Sequence, residues 1–203
     1  MEVREDKGPD NRKAYRIIST AHTTGLLDKF YRVSDRLESL FDDEQLCSLS
    51  FHLDQSHGTR KKKRDMTFNH REGTVVVSSD GQQATYPAPA DAQDALSALY
   101  YIRTRQDLVV GKTITIDVHD DDRNWKVDVQ VLKREKIRTS LGEFNTIQLR
   151  TYPKYEGVFQ HKGEIFFWLT DDERRIPVLM KSVISIGSIV STLVDCQTGE
   201  QKK

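Results

Sequence analysis

Five consecutive cations, Arg60-Lys61-Lys62-Lys63-Arg64, form the most concentrated charge in the chain. Such a run can contact phosphate, anionic lipid or nucleic acid through counterion release. No aromatic stacking platform is interleaved with it, and Lys plus Arg (31) balance Asp plus Glu (31). The run therefore reads as the solvated start of a strand whose charges deter edge pairing, with no nucleic-acid partner implied. His119-Asp120-Asp121-Asp122 could offer carboxylates to a divalent cation, but it lacks the spaced ligands and glycine of an EF-hand loop. It reads as a polar hairpin loop, as do Asp42-Asp43-Glu44 and Asp171-Asp172-Glu173. The six histidines, His22, His52, His57, His70, His119 and His161, show no zinc-type spacing, so no metal site is expected. His22 and His52 lie in strand patterns and are the candidates for a general base. No Gly-x-Ser-x-Gly elbow, Walker loop or Rossmann fingerprint is present, so no cofactor is expected. A triad can still assemble from distant positions, and a hydrolase with dispersed residues stays open as an alternative. Cys47 and Cys196 read as two free thiols or, in an oxidising compartment, as a long-loop disulfide.

The aromatic residues point elsewhere. Tyr152, Tyr155, Phe159, Phe166, Phe167 and Trp168 crowd one C-terminal region. Phe166 and Trp168 are two apart and share one face of a strand. They read either as packed core or as the lining of an apolar cavity for a lipid-like ligand.

The elements that must position these groups are mostly strands. Tyr15 to His22, Phe30 to Phe41, Leu46 to Leu53, Arg60 to Phe68, Thr74 to Ser78 and Gln83 to Tyr86 follow one another, with Asp80-Gly81 a hairpin signal. Pro87 and Pro89 then stop sheet pairing. Asp91 to Arg105 predicts the one clear helix, capped by Asp91 or Asp94 and closed by Arg103 and Arg105. Strands resume at Thr113 to Val118, Trp125 to Leu132, Gly142 to Tyr152, Gly163 to Leu169, Val178 to Ile184 and Ile189 to Val194. Short turns between them favour antiparallel meanders. The expected fold is mostly β: a curved antiparallel half-barrel or barrel-like sheet of about ten or eleven strands with one central helix packed on it. The helix spans about three turns and carries no charge from Ala95 to Ile102, so it needs the cover of a sheet. One domain is expected over 13–196, with 1–12 a disordered leader and 197–203 a flexible tail.

A resemblance adds to this. Tyr86-Pro87 to Arg105, with Asp94-Ala95-Leu96-Ser97-Ala98-Leu99-Tyr100-Tyr101-Ile102-Arg103 at its centre, resembles the signature of a bacterial family of β-rich domains of unknown function. Ala21-His22-Thr23-Thr24-Gly25-Leu26-Leu27, Leu108-Val109-Val110-Gly111-Lys112, Gly142-Glu143-Phe144-Asn145-Thr146, Gly163 to Asp172, Arg175-Ile176-Pro177-Val178 and Ile186-Gly187-Ser188-Ile189 match in the same order. The resemblance implies export by Gram-negative bacteria to the periplasm or envelope. Met1 to Asn11 has no signal-peptide pattern, so that location requires a signal already removed; with Met1 native, the location would be cytoplasmic. Strand order also resembles the unclosed barrels of lipoprotein-localisation factors, which hold acyl chains. No apolar run is long enough to span a membrane. The resulting expectation is a non-enzymatic domain binding an apolar or amphipathic ligand, a lipid or acyl chain, under the helix. Leu96, Leu99, Tyr100, Phe166 and Trp168 would line that cavity. The alternative of another class is an envelope-assembly module that docks a partner protein on a free edge strand or an exposed apolar patch.

Overall fold

Strand β5 (Arg60–Asn69) shows how this sequence makes sheet: Arg64, Met66 and Phe68 are buried while Asp65, Thr67 and Asn69 between them are exposed. That period of two belongs to a strand with one covered face. The structure is a computed structural model that describes residues 1–25, 32–120, 122–154, 164–184 and 187–197. Phe30, Tyr31, Asp121, Tyr155, Phe159, His161 and nearly all of the 197–203 tail lie outside the described residues. The chain divides into two compact units: Met1–Ile102 with Ile116–Trp125, and Arg103–Thr115 with Lys126–Lys203. Their boundaries cut through a helix and two strands, so no linker composition marks them.

In the first unit, seven strands pair antiparallel in sequence order. They are β1 (Glu2–Lys7), β2 (Lys13–His22), β3 (Val33–Asp42), β4 (Ser48–His57), β5, β6 (Thr74–Ser79) and β7 (Gln82–Pro87). The β6–β7 hairpin turns on Asp80 (φ 51°) and Gly81 (φ 80°), with Ser79 paired to Gln82. Two central residues with positive φ make a type I′ turn, which is what Asp-Gly favours. The covered face carries Ile17, Phe41, Phe51, Leu53, Met66, Phe68, Val75 and Val77.

Three expectations need correction here. The leader is not disordered: Glu2–Lys7 is a strand paired to β2 over its whole length. Its side chains are nearly all exposed, so it shows no apolar alternation, and it is held by main-chain pairing and by the Arg16–Asp6 ion pair at 2.6 Å. The helix is α1 (Ser97–Thr104), eight residues where Asp91 to Arg105 was expected. Gln93 is held extended by a parallel bridge to Val118, so helix cannot begin before Asp94. Third, His119 and Asp120 belong to strand β8 (Thr113–Asp120), and His119 is fully buried, so the hairpin loop is shorter than its polar residues suggest.

The second sheet has six strands, ordered β13-β12-β11-β10-β9-β8. They are β8, β9 (Arg123–Thr139), β10 (Gly142–Lys154), β11 (Glu164–Thr170), β12 (Pro177–Ile184) and β13 (Gly187–Thr192). Val129, Val131, Ile147, Leu149 and Leu169 share one face and are almost wholly buried. A bulge between Gln148 and Leu149 leaves Leu132 without a partner in the ladder and keeps that face continuous. The fold is mostly β, as expected, with one α-helix among the described residues. The sheet, however, is two sheets of seven and six strands, more strands than expected, and among the described residues neither closes edge to edge.

Candidate functional site

The helix start is the most tightly built polar site in the first unit. The Asp94 side chain is fully buried. Its Oδ1 accepts the backbone N–H groups of Leu96 (2.7 Å) and Ser97 (2.8 Å). Its Oδ2 accepts the hydroxyls of Ser39 on β3 and Ser48 on β4, both at 2.6 Å. The Asp94 N–H donates in return to Ser97 Oγ at 2.9 Å, which completes a reciprocal N-terminal cap. Burial pushes the Asp94 carboxyl above its usual range, and the four donors pull it partly back. Of the two caps expected, Asp94 is the one used. Gln93 ties the same segment down: its side-chain amide donates to the Leu46 carbonyl at 2.7 Å and to the Asp91 carbonyl at 3.1 Å. With every Asp94 lone pair engaged, this cluster orders the helix and offers no free group to a substrate.

Leu96 is buried in the first unit's hydrophobic cluster, and Tyr100 and Tyr101 pack against it. Leu99 is half-buried. At the far end of the helix, Arg103 donates to the carbonyls of Arg175 (2.9 Å) and Arg174 (3.0 Å).

Phe166 and Trp168 belong to the second unit, on β11. Their rings lie 6.3 Å apart, as two residues on one face should. Register places them beside Arg150 and Gln148 of β10, on the side opposite the apolar face. Arg150 in turn pairs with Gln130 of β9. The Arg150 guanidinium donates to Gln130 Oε1 at 2.6 Å, sits 5.6 Å from the Tyr152 ring centroid and approaches Glu164 at 3.6 Å. Gln130 completes the set by donating to the Tyr152 hydroxyl at 3.0 Å. Trp168 is largely buried, and its indole N–H donates to Glu135 at 2.7 Å. Lys133 and then the Trp168 indole hold the Glu135 carboxyl below its usual range. The result is an aromatic pair flanked by a guanidinium, amides and a phenol on three adjacent strands. Sequence reading found Phe166, Trp168 and Tyr152 but missed Arg150, Gln130 and Glu164. The period-two spacing of Gln148, Arg150 and Tyr152 was a visible signal, but only the register shows that they flank Phe166.

The remaining chemical candidates resolve into structure. Asp42 Oδ1 accepts the N–H groups of Glu44 and Gln45, and Asp172 Oδ1 accepts those of Arg174 and Arg175, so each closes its own acidic turn. The basic run lies along β5, where Lys63 pairs with Asp54 at 2.8 Å and Arg64 is buried against Asp120 at 3.3 Å. Among the described residues, histidine rings bond to carboxylates (His52 to Asp65, His57 to Asp35), an amide (His119 to Asn124) and a backbone carbonyl (His70 to Ser48). None of these four ring partners is a hydroxyl or thiol that a base would activate. No group of three or more His, Cys, Asp or Glu side chains is placed to hold a metal among the described residues. Cys47 is buried and Cys196 exposed, both free thiols, so the disulfide weighed from the sequence is not formed. Among the described residues no helix is long and apolar enough to cross a membrane.

Comparison with known proteins places this geometry in a family without assigning it an activity. No curated protein matches the chain. Among solved structures, a β-barrel-like protein of the domain of unknown function DUF1849 from Brucella abortus is similar, with a TM-score of 0.62 at 12% identity, over 95% of this chain and 84% of that one. At that identity the likeness shows a shared fold alone. The family model of DUF3108, a protein of unknown function, matches residues 1–194, and the chain belongs to that family.

Proposed function

We propose that the chain is a non-enzymatic binding domain that holds an amphipathic ligand, with a lipid or acyl chain the favoured class, against the Phe166–Trp168 side of the second sheet. The observation that carries this reading is the adjacency of the aromatic pair to Arg150, Gln130 and Tyr152 on one face. An apolar segment would lie on the rings and displace water from them, while the polar head would take hydrogen bonds from the guanidinium and amide. Phe166 is only half-buried, so the ligand has an approach to the pair. The helix residues Leu96 and Tyr100 play a narrower part than the sequence suggested, because they are engaged with the first unit's cluster. The envelope is the setting we assign to this activity, on the strength of the family resemblance alone.

The test is native mass spectrometry of gently purified protein, followed by titration of delipidated protein with oleate under tryptophan fluorescence. Trp125 and Trp168 are the two tryptophans. A co-purified lipid mass, and a fluorescence change that survives Trp125→Phe but not Trp168→Phe, support the reading. An apo mass together with a flat titration refutes it.

A further inference from the structure

Strand register extends the Phe166 face beyond β11. Pairing sets Gln130, Arg150, Phe166 and Lys181 side by side on β9, β10, β11 and β12. Residues directly opposite on adjacent strands share a face, so Arg150 and Lys181 flank the Phe166 ring from its two sides. The charges around that ring are not all answered. The Arg150 guanidinium has Glu164 at 3.6 Å from Nη1, beyond hydrogen-bond reach, while Nη2 donates to Gln130. Lys133, further along β9, is taken by Glu135 at 2.8 Å. Asp128, diagonal to Arg150, is buried and accepts the Thr115 hydroxyl at 2.6 Å. Lys181 is half-buried and, among the described residues, forms no ion pair or hydrogen bond. Its partners in the ladder are Phe166 and Val190, and Leu179 and Val183 flank it along the same face of β12. An ammonium set among four apolar side chains and drawn partly out of water gains from an anion beside it.

We infer that the ligand is a long-chain carboxylate, its head held between the Lys181 ammonium and the Arg150 guanidinium and its chain laid along Phe166 and Trp168. The inference rests on the reading of this face as the ligand site and adds the charge of the head to it. Two strand spacings, about 10 Å, separate the Arg150 and Lys181 backbones, a span that two long side chains close over one ring. A carboxylate supplies the negative charge that Lys181 lacks, and its second oxygen accepts an N–H of Arg150 Nη1. Along the strands in one direction lie Tyr152, Glu164 and Val183, where Glu164 repels a carboxylate. In the other lie Gln148, Trp168 and Leu179, which carry no charge, so the apolar chain runs that way. A quaternary ammonium head would set a second cation beside Lys181, and an uncharged head would leave Lys181 unanswered.

The test is isothermal titration calorimetry of delipidated protein with oleate and with monoolein, which carries the same acyl chain on an uncharged head, each kept below its aggregation threshold. Oleate should bind at least about tenfold more tightly, the margin of one charge-assisted hydrogen bond. Raising salt from about 0.05 M to about 0.5 M should narrow that margin. Lys181→Gln should erase most of the preference and Lys181→Arg should keep it, with far-UV circular dichroism matching wild type in both. Equal affinity for the two probes overturns the carboxylate while the amphipathic-ligand reading stands. An oleate preference that Lys181→Gln leaves intact overturns it as well. Failure of both probes to bind overturns the site itself, and this inference with it.

Discussion

Asp94 carries four hydrogen bonds in a site without water access, and its removal should be the most costly single substitution in the first unit. Asp94→Ala leaves the Ser39 and Ser48 hydroxyls and the Leu96 and Ser97 N–H groups without their acceptor. A buried polar group left unpaired costs ~1–3 kcal/mol, and a lost cap alone ~1 kcal/mol. The hydroxyls can rotate toward other acceptors, and removing a buried carboxylate refunds part of its desolvation. The net loss expected is about 3–5 kcal/mol. Asp94→Asn should behave differently: its oxygen still accepts the two N–H groups, and its amide donates to the two serine hydroxyls, which turn to accept. Its loss should stay within about 1 kcal/mol by the same bookkeeping. The wild type should also show a pH signature. Burial raises the folded-state value of Asp94 above the unfolded one. Between those two values the unfolded chain has released a proton that the folded chain keeps, so stability declines as pH rises through that window and levels off above it. Asp94→Asn removes that slope. The assay is urea unfolding in a Trp168→Phe background, where Trp125 reports on the first unit. An Asp94→Ala variant within about 1 kcal/mol of wild type refutes the reasoning. An Asn variant as unstable as the Ala variant shows that the charge, and not the acceptor geometry, holds the helix start.

Burial, with the nearby Asp42 carboxylate adding to it, pushes the Cys47 thiol up to about 12, so at pH 8 Ellman's reagent should count one reactive thiol, Cys196, in folded protein and two after denaturation; no reactive thiol until reductant is added would contradict the free-thiol state. Gly81→Ala places a side chain at φ 80° in the β6–β7 turn and should cost about 1 kcal/mol in thermal unfolding, whereas no loss would mean the turn relaxes to another type. Glu135 is held below its usual range by Lys133 and the Trp168 indole, so its contribution is complete above the unfolded glutamate value and fades as pH falls through the lowered folded one. In a Trp125→Phe background, Trp168 emission should therefore hold steady at neutral pH and change only on the acid side of the ordinary glutamate range; a transition near neutrality would remove Glu135 as its cause.

What was legible in the sequence follows from which forces leave a local trace. The alternation of β5 and the Asp80-Gly81 turn are local, and both appear where the pattern puts them. The capping aspartate was visible because a cap is written within three residues of the helix start. The helix boundary was not, because Gln93 is held extended by a bridge to Val118, a partner far along the chain. β1 escaped notice because an exposed edge strand has no buried face to force an apolar alternation. The division into two units was hidden because α1, β8 and β9 run across it as continuous elements. His119 illustrates the same limit at one residue: among three acidic neighbours it reads as loop, yet it is buried near the Phe68 and Tyr86 rings, with ring centroids 6.3 and 6.1 Å away. Only the strand register reveals that.

The segment that carries the family resemblance has a consequence for where function should be sought. Asp94 and Ser97 form the reciprocal cap, Leu96 and Tyr100 pack on the first sheet, and Arg103 donates to the 174–175 turn. Each of these is accounted for by folding. A residue fully committed to cap or core has no lone pair, proton or surface left with which to recognise a ligand. The Phe166–Trp168 face differs in that a partly exposed guanidinium, Arg150, stands beside an incompletely covered ring, Phe166. Ser39→Ala and Trp168→Phe should accordingly separate the two roles. The first removes one of four bonds to Asp94 and should lower the stability of the first unit by ~1 kcal/mol while leaving oleate affinity unchanged. The second should leave the first unit's unfolding midpoint in place, and oleate binding, read by native mass spectrometry, should weaken. If Ser39→Ala instead weakens oleate binding at full stability, the helix start is part of the binding site and its assignment to folding is wrong.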